Sequence, residues 1–286
     1  MKKNFVIALA AASGLALFAT AQDASAQDAT PWFATNRAGG FVDMWPAKDF
    51  FSTMFGADLQ FRVARSVYLD VSITGAYASG SVNVGPVSIS RAQAAFGNPT
   101  IGAHYAGEIK RNFHFFVGGT ASLPLLHDPD YDVGVTASGV LPIRGYYDMD
   151  RLVVGEMAIR GMFGFEWQIA RPFFFRGEAR PVVFFSTNDR RHTFGHANDF
   201  VVETAAEAEY RWGNGVGLGG RFQVVYLPTF DGDQAQALFE PFFTLTPRTS
   251  GFYLRAGTPV ALDNDLGPGF DRDRLFGVRL ALGGQW

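Results

Sequence analysis

The residues able to do chemistry in this chain are charged, and they recur at every second position. Glu156, Arg160 and Glu166 share one parity within residues 152–167, and Arg176, Glu178 and Arg180 do so within 173–185. Glu203, Glu207, Glu209 and Arg211 repeat the pattern within 200–212, and Arg62, Arg221, Glu240, Arg255 and Arg279 take the matching parity of their own stretches. A period of two places such residues on one face of a β-strand, with apolar residues on the other. Arginine outnumbers lysine by 20 to 4, and a planar guanidinium suits enclosed, bidentate pairing with carboxylates. No nucleophile belongs to this set. Its chemistry is cross-strand ion pairing, either as a rigid interior ladder or as the lining of a passage for small polar or ionic solutes. With Arg37, Asp43, Asp58, Asp70 and Glu108 included, nine arginines face eleven carboxylates. That near-balance predicts weak ion selectivity.

Other candidate sites have the residue types without the spacing. A serine hydrolase needs Ser and His within hydrogen-bonding reach, and no matching motif occurs. His127, Asp128, Asp130 and Asp132 share one polar stretch, and His192, His196 and Asp199 share another. They suit a hydrolase at the rim of a fold only by type; solvated loop residues account for them. Asp263, Asn264, Asp265, Asp271 and Asp273 suggest a cation loop only loosely, because Gly267 and Gly269 do not reproduce EF-hand spacing. His104 and His114 share the inward parity of neighbouring strands and read as hydrogen-bonded lining, with a metal or proton site as the alternative. The chain has no cysteine, which excludes disulfides and thiolate metal sites. A net charge of -3 argues against nucleic-acid binding, and no glycine-rich phosphate loop opens a helix. No cofactor, metal or catalytic residue is expected.

The elements that must position the charges are strands. Alternation runs through residues 50–64, 67–77, 94–108, 113–123, 152–167, 173–185, 200–212, 216–226, 235–245, 252–260 and the last twelve residues, and is weakest at 37–45. The apolar faces end in aromatics, as in Phe200 with Trp212 and Phe173 with Phe185. Asn214-Gly215 is a hairpin-turn signal. Connections alternate in length: short at 65–66, 109–112, 169–172, 213–215 and 247–250, longer at 79–90, 126–150, 186–198, 231–235 and 263–273. Residues 79–90 read as a loop or as strand extensions. The count is twelve strands. Ten follows if the first hairpin fails, and fourteen if 126–150 hides another.

The two ends supply an address. Lys2 and Lys3, an apolar run at 5–18 and Ala24-Ser25-Ala26 have the three parts of a secretory signal. The expected organisation is therefore a signal peptide at 1–26 and one domain at 27–286. At the other end Phe276, Val278, Leu280, Leu282, Gly284 and Trp286 form an apolar face with an aromatic at each tip. The leader, the alternating strands and this ending resemble bacterial outer-membrane β-barrel proteins in general. The resemblance implies an all-β, transmembrane, antiparallel up-and-down barrel with short periplasmic turns and longer external loops. It also implies that Phe276, Val278, Leu280, Leu282 and Trp286 are read by a barrel-assembly machinery. The expected surroundings are the lipid and lipopolysaccharide of a Gram-negative-type outer membrane, with the protein a monomer. A twelve-stranded barrel is wider than the side-chain-filled eight-stranded kind and narrower than open porins. The expected role is porin-like passage of small polar solutes through the charge-lined lumen. The alternatives are a non-conducting structural or adhesive barrel acting through its loops, and a rim hydrolase.

Overall fold

An alternating sequence buries one face and exposes the other only when the chain is extended. The computed structural model describes residues 32–46, 50–84, 87–125, 147–186, 198–229, 234–247, 250–263 and 276–286, and in them this alternation is built into antiparallel strands. In chain order these are β1 (Arg37–Pro46), β2 (Phe50–Ala64), β3 (Val67–Val84), β4 (Val87–Phe96), β5 (Thr100–Lys110), β6 (Phe113–Ser122) and β7 (Glu156–Ala170). There follow β8 (Phe173–Ser186), β9 (Asn198–Arg211), β10 (Val216–Tyr226), β11 (Ala235–Leu245), β12 (Phe252–Gly257), β13 (Val260–Ala261) and β14 (Val278–Gln285). Consecutive strands pair except across β4–β5, β12–β13 and β13–β14, where β3 pairs with β5, β11 with β13 and β12 with β14; β1 pairs with β14, so the sheet closes on itself.

Two pairs of segments are single strands interrupted. The first part of β3 pairs with β5 and the second with β4, so β4 and β5 are collinear and broken at 97–99. Pro99 lacks an N–H, and the Asn98 N–H turns away to donate to the Arg151 carbonyl at 2.8 Å. Likewise β12 and β13 both pair with β11 on either side of Thr258-Pro259, where Pro241 on β11 also withholds a donor. Counted this way the barrel has twelve strands. Register shifts between Arg62 and Ala64, Glu108 and Lys110, and Gln168 and Ala170 fall beside three of the short turns, the usual place for bulges at a barrel rim. Asn214-Gly215 forms its tight turn, with Gly215 at φ 88°, a conformation that favours glycine.

Several expected boundaries change. Residues 79–90 are strand extension as far as Val84 and again from Val87. The strand expected at 152–167 begins at Glu156, because the Leu152 and Val153 N–H groups both turn back to the Met149 carbonyl. Val153, expected to face outward, is instead 2% exposed inside the barrel.

The outward face separates a membrane barrel from a soluble sandwich. Leu218, Phe222 and Tyr226 on β10, and Ile159, Phe163 and Trp167 on β7, are 40–52% exposed, forming an apolar band that water would penalise and hydrocarbon would not. Aromatics cap it: Phe200 with Tyr210 and Trp212, and Phe276 with Trp286, all lie exposed on the outer surface. The protein is a transmembrane β-barrel. No helix among the described residues is long and apolar enough to cross a membrane, and the crossing is made by strands. The expected leader at 1–26 lies outside the described residues.

Candidate functional site

The lumen has two unlike walls. One, formed by β7 to β14 with β1, carries a continuous ion-pair network. Asp43 on β1 accepts from Arg279 at 3.2 Å, and Arg279 also reaches Glu240. Glu240 meets Arg255 at 3.3 Å, Arg255 meets Glu207 at 2.7 Å, and Glu207 shares Arg176 with Glu166 and Glu209. Arg221 bridges Glu178 to Glu207, and Arg211 pairs with Glu209. Every link joins different strands or neighbours on one face, so the network exists because the alternation brings one parity of many strands together. Glycines clear the space: a Cβ at Gly217 would collide with the Glu209 carboxylate, and one at Gly257 with that of Glu240.

The other wall, β2 to β6, presents mainly hydroxyls, amides and rings, and two chain segments fold against it. At the short-turn end residues 32–36 enter the lumen. Phe33 packs on Tyr68, Ala106 and Phe116, Gln60 donates to the Thr35 carbonyl at 2.7 Å, and Tyr68 donates to that of Ala34 at 2.6 Å. His104 stands between Asp70 Oδ2 at its Nδ1 and the Phe33 carbonyl at its Nε2, each 2.6 Å away. His114 is four residues further along the pairing, opposite Glu108 and Glu166, so the two histidines do not converge on a site.

From the long-loop end residues 147–153 also fold inward, although 126–150 reads as an external loop; residues 126–146, with His127, Asp128, Asp130 and Asp132, lie outside the described residues. Asp148 accepts from Arg160 at 2.7 Å and from Arg180 at 2.9 Å, and Asp150 accepts from Arg160 and from Ser122. Arg151 crosses to Asp58 at 3.2 Å and Ser72 at 2.9 Å. Asn98 holds the carbonyls of Asp150 and Val153 at 3.1 and 2.7 Å. Tyr147 donates to Glu178 at 2.8 Å, with Arg180 and Arg221 over its ring. Burial pushes its phenol well above the ordinary value, against the pull of Arg180.

Above this anchor the lumen is apolar. Met149 and Val153 pack with inward Val182, Phe184, Val201 and Val225, and Leu152 packs with Met54 and Ala76. Each such aliphatic side chain contributes about 1.5–3 kcal/mol by leaving water, so the segment is held by a hydrophobic stopper as well as by charge. Below it a cavity of about 1400 Å³ runs from the short turns, at Arg111, Arg171 and Gly213, up to Tyr147, Asp148 and Arg151.

Of the residues singled out in the sequence, Arg62, Arg160, Arg176, Glu178, Arg180, Glu207, Glu209, Arg211, Arg221, Arg255 and Arg279 border this cavity. Glu203 and Glu240 are fully buried behind it, and Glu156 is 2% exposed in the stopper zone. Phe276 and Trp286 are exposed on the outer surface, with Val278, Leu280 and Leu282 between them on β14. Asp199 is buried and accepts from Thr229; Asp263 accepts from the Ala237 N–H. His192, His196, Asn264, Asp265, Asp271 and Asp273 lie outside the described residues. No group of three metal-ligating side chains occurs among the described residues.

No family model matches the chain, and no curated protein is similar enough in sequence to stand as a relative. Among solved structures it is similar to an outer-membrane channel from Pseudomonas putida F1, at 10% identity over 93% of this chain and 100% of that one, with a TM-score of 0.58. It is also similar to the NanC porin, at 9% identity over 88% and 100%, with a TM-score of 0.51. At such identities the likeness is one of fold, that of the outer-membrane barrel.

Proposed function

We propose that this chain is an outer-membrane channel, porin-like in kind, that passes small polar solutes through its charge-lined lumen when residues 147–153 are displaced. The observation that carries the reading is the 1400 Å³ cavity bordered by arginine and carboxylate side chains from the short turns to the inserted segment. A barrel filled only for rigidity has no use for an open space of that size lined by charge. The short-turn end faces the periplasm by the general rule for such barrels; a cleaved leader at 1–26, a monomeric state and contact with lipopolysaccharide complete the proposal. The terminal set Phe276, Val278, Leu280, Leu282 and Trp286 serves as the assembly signal.

One observation favours a second reading. The lumen is occupied from both ends, by 32–36 and by 147–153, which also suits a non-conducting barrel that works through its loops. Planar-bilayer recording of the refolded chain decides between them. Discrete, reproducible current steps support the channel. Persistent silence from protein shown to be folded by heat-modifiable gel mobility refutes it and leaves the structural barrel.

A further inference from the structure

We propose that the short-turn end of the lumen is a selectivity vestibule for small oxyanions, solutes whose recognised group is a carboxylate or a phosphate. This rests on the channel reading above and names its substrate class.

The interior charges balance by number, but the two signs lie in different layers. Asp43, Asp150, Glu203 and Glu240 are at most 1% exposed and border no part of the cavity. They hold Arg279, Arg160 and Arg255 from behind. The guanidinium groups stand in front, so among the described residues the cavity wall carries twelve arginines and seven side-chain carboxylates.

The excess gathers at the mouth, at Arg37, Arg62, Arg111, Arg171 and Arg211. Arg211 pairs with Glu209; among the described residues no carboxylate pairs with the other four. Arg37 lies over the Trp32 ring at 4.5 Å and Arg211 over Phe174 at 4.8 Å. Stacking uses the face of the Arg37 guanidinium and leaves its N–H donors, which match a carboxylate or phosphate; the edge of Arg211 is held by Glu209. The carboxylates deeper in are already engaged, Asp70 with His104 and Asp58 with Arg151. Glu108, at the same end, does not border the cavity.

A mouth potential of only about one kT enriches anions roughly threefold and depletes cations roughly threefold, an anion-to-cation ratio of about seven. It decays over about 8–10 Å at physiological salt and about 3 Å at 1 M.

The test is ion selectivity of the refolded full chain under salt gradients of potassium chloride, potassium acetate and potassium phosphate. The expected result is anion preference of roughly sevenfold at low salt, shrinking at 1 M, with acetate or phosphate passing at least as well as chloride. Whichever of the two passes better identifies the group. Arg111→Glu with Arg171→Glu, both exposed turn residues outside the network, should abolish the preference while the protein keeps its folded gel mobility. Cation preference, no preference, or exclusion of both oxyanions would overturn the vestibule while leaving the channel standing. Silence would refute the channel, and the vestibule is then read without current, through the fluorescence component lost on Trp32→Phe. Stronger quenching of that component by iodide than by caesium supports the positive mouth; equal or reversed quenching overturns it.

Discussion

Replacing Arg160 with methionine should release the inserted segment. Arg160 reaches Asp148 at 2.7 Å and Asp150 directly, with Glu203 at 3.9 Å, and all four groups are at most 5% exposed. Removing one partner from a buried ion pair costs about 3–5 kcal/mol, because a carboxylate is left buried without its counter-charge. Asp148 keeps Arg180 and Asp150 keeps the Ser122 hydroxyl, so the lower end applies. About 3 kcal/mol is roughly a hundredfold shift from inserted toward displaced segment. The strands do not depend on this pair for their backbone bonds, so the barrel itself should stay folded. The absence of native cysteine gives a clean assay. Met149→Cys places one thiol at a position 0% exposed, which should resist a membrane-impermeant maleimide in the parent. Adding Arg160→Met should speed labelling by about two orders of magnitude and raise the time spent conducting. Adding Asp150→Asn as well should recover part of the loss, as coupled neighbours do. Unchanged labelling in a folded Arg160→Met protein would refute the claim that this pair holds the segment.

Three further outcomes are expected. Leu280→Arg, on the outward face of β14, should lower membrane insertion by about 2–4 kcal/mol, whereas Arg255→Met, facing the lumen, should insert normally; equal insertion of both variants contradicts the face assignment. His104→Leu should free residues 32–36, since the ring sits between two acceptors, and added protease should then cleave ahead of β1; continued protection shows the strap is held otherwise. Because burial raises the Tyr147 phenol, its link to Glu178 should persist below pH about 10 and its stabilisation should be lost as pH rises beyond that. The difference in alkaline ultraviolet titration between the parent and Tyr147→Phe checks this, and ionisation at or below pH 10 contradicts it.

The strands were legible because lipid and lumen impose opposite demands on neighbouring residues. Phe200 and Trp212 against Glu203 and Glu207 leave no other arrangement that satisfies both. Closure into twelve strands followed from counting turns, even though β4 with β5 and β12 with β13 are each broken by a proline that the alternation does not register. The inserted segment was not legible. Val153 keeps the apolar parity of the strand that follows, yet a turn of 3-10 helix at Met149–Arg151 takes it off that strand. The apolar stopper was hidden for a related reason: inward Val182, Phe184 and Val201 look like noise in a polar face until Met149 and Val153 arrive to cover them. Asn98-Pro99, which interrupts an otherwise regular strand, was the available signal that something other than a neighbouring strand takes that backbone donor. The strap at 32–36 precedes the alternation and carries no periodic signature.

The bond from Asn98 to Arg151 has a mechanical meaning. Among the described residues β4 pairs with β3 alone, and β3 leaves β2 after Gly80, so the tip of the β3–β4 hairpin stands beyond the wall as an arm on the long-loop side. Just past the end of β4, Asn98 holds the inserted segment: its backbone N–H donates to the Arg151 carbonyl and its amide to those of Asp150 and Val153. The β4 end of the hairpin and the inserted segment therefore meet at one residue. Withdrawing the segment breaks three bonds at the base of the arm, and any partner that holds the arm in one position favours whichever state of the segment matches it. By reciprocity a solute that displaces the segment also changes how the arm is held. The barrel thus links its long-loop hairpin to the segment in its passage through the backbone N–H and side-chain amide of one residue.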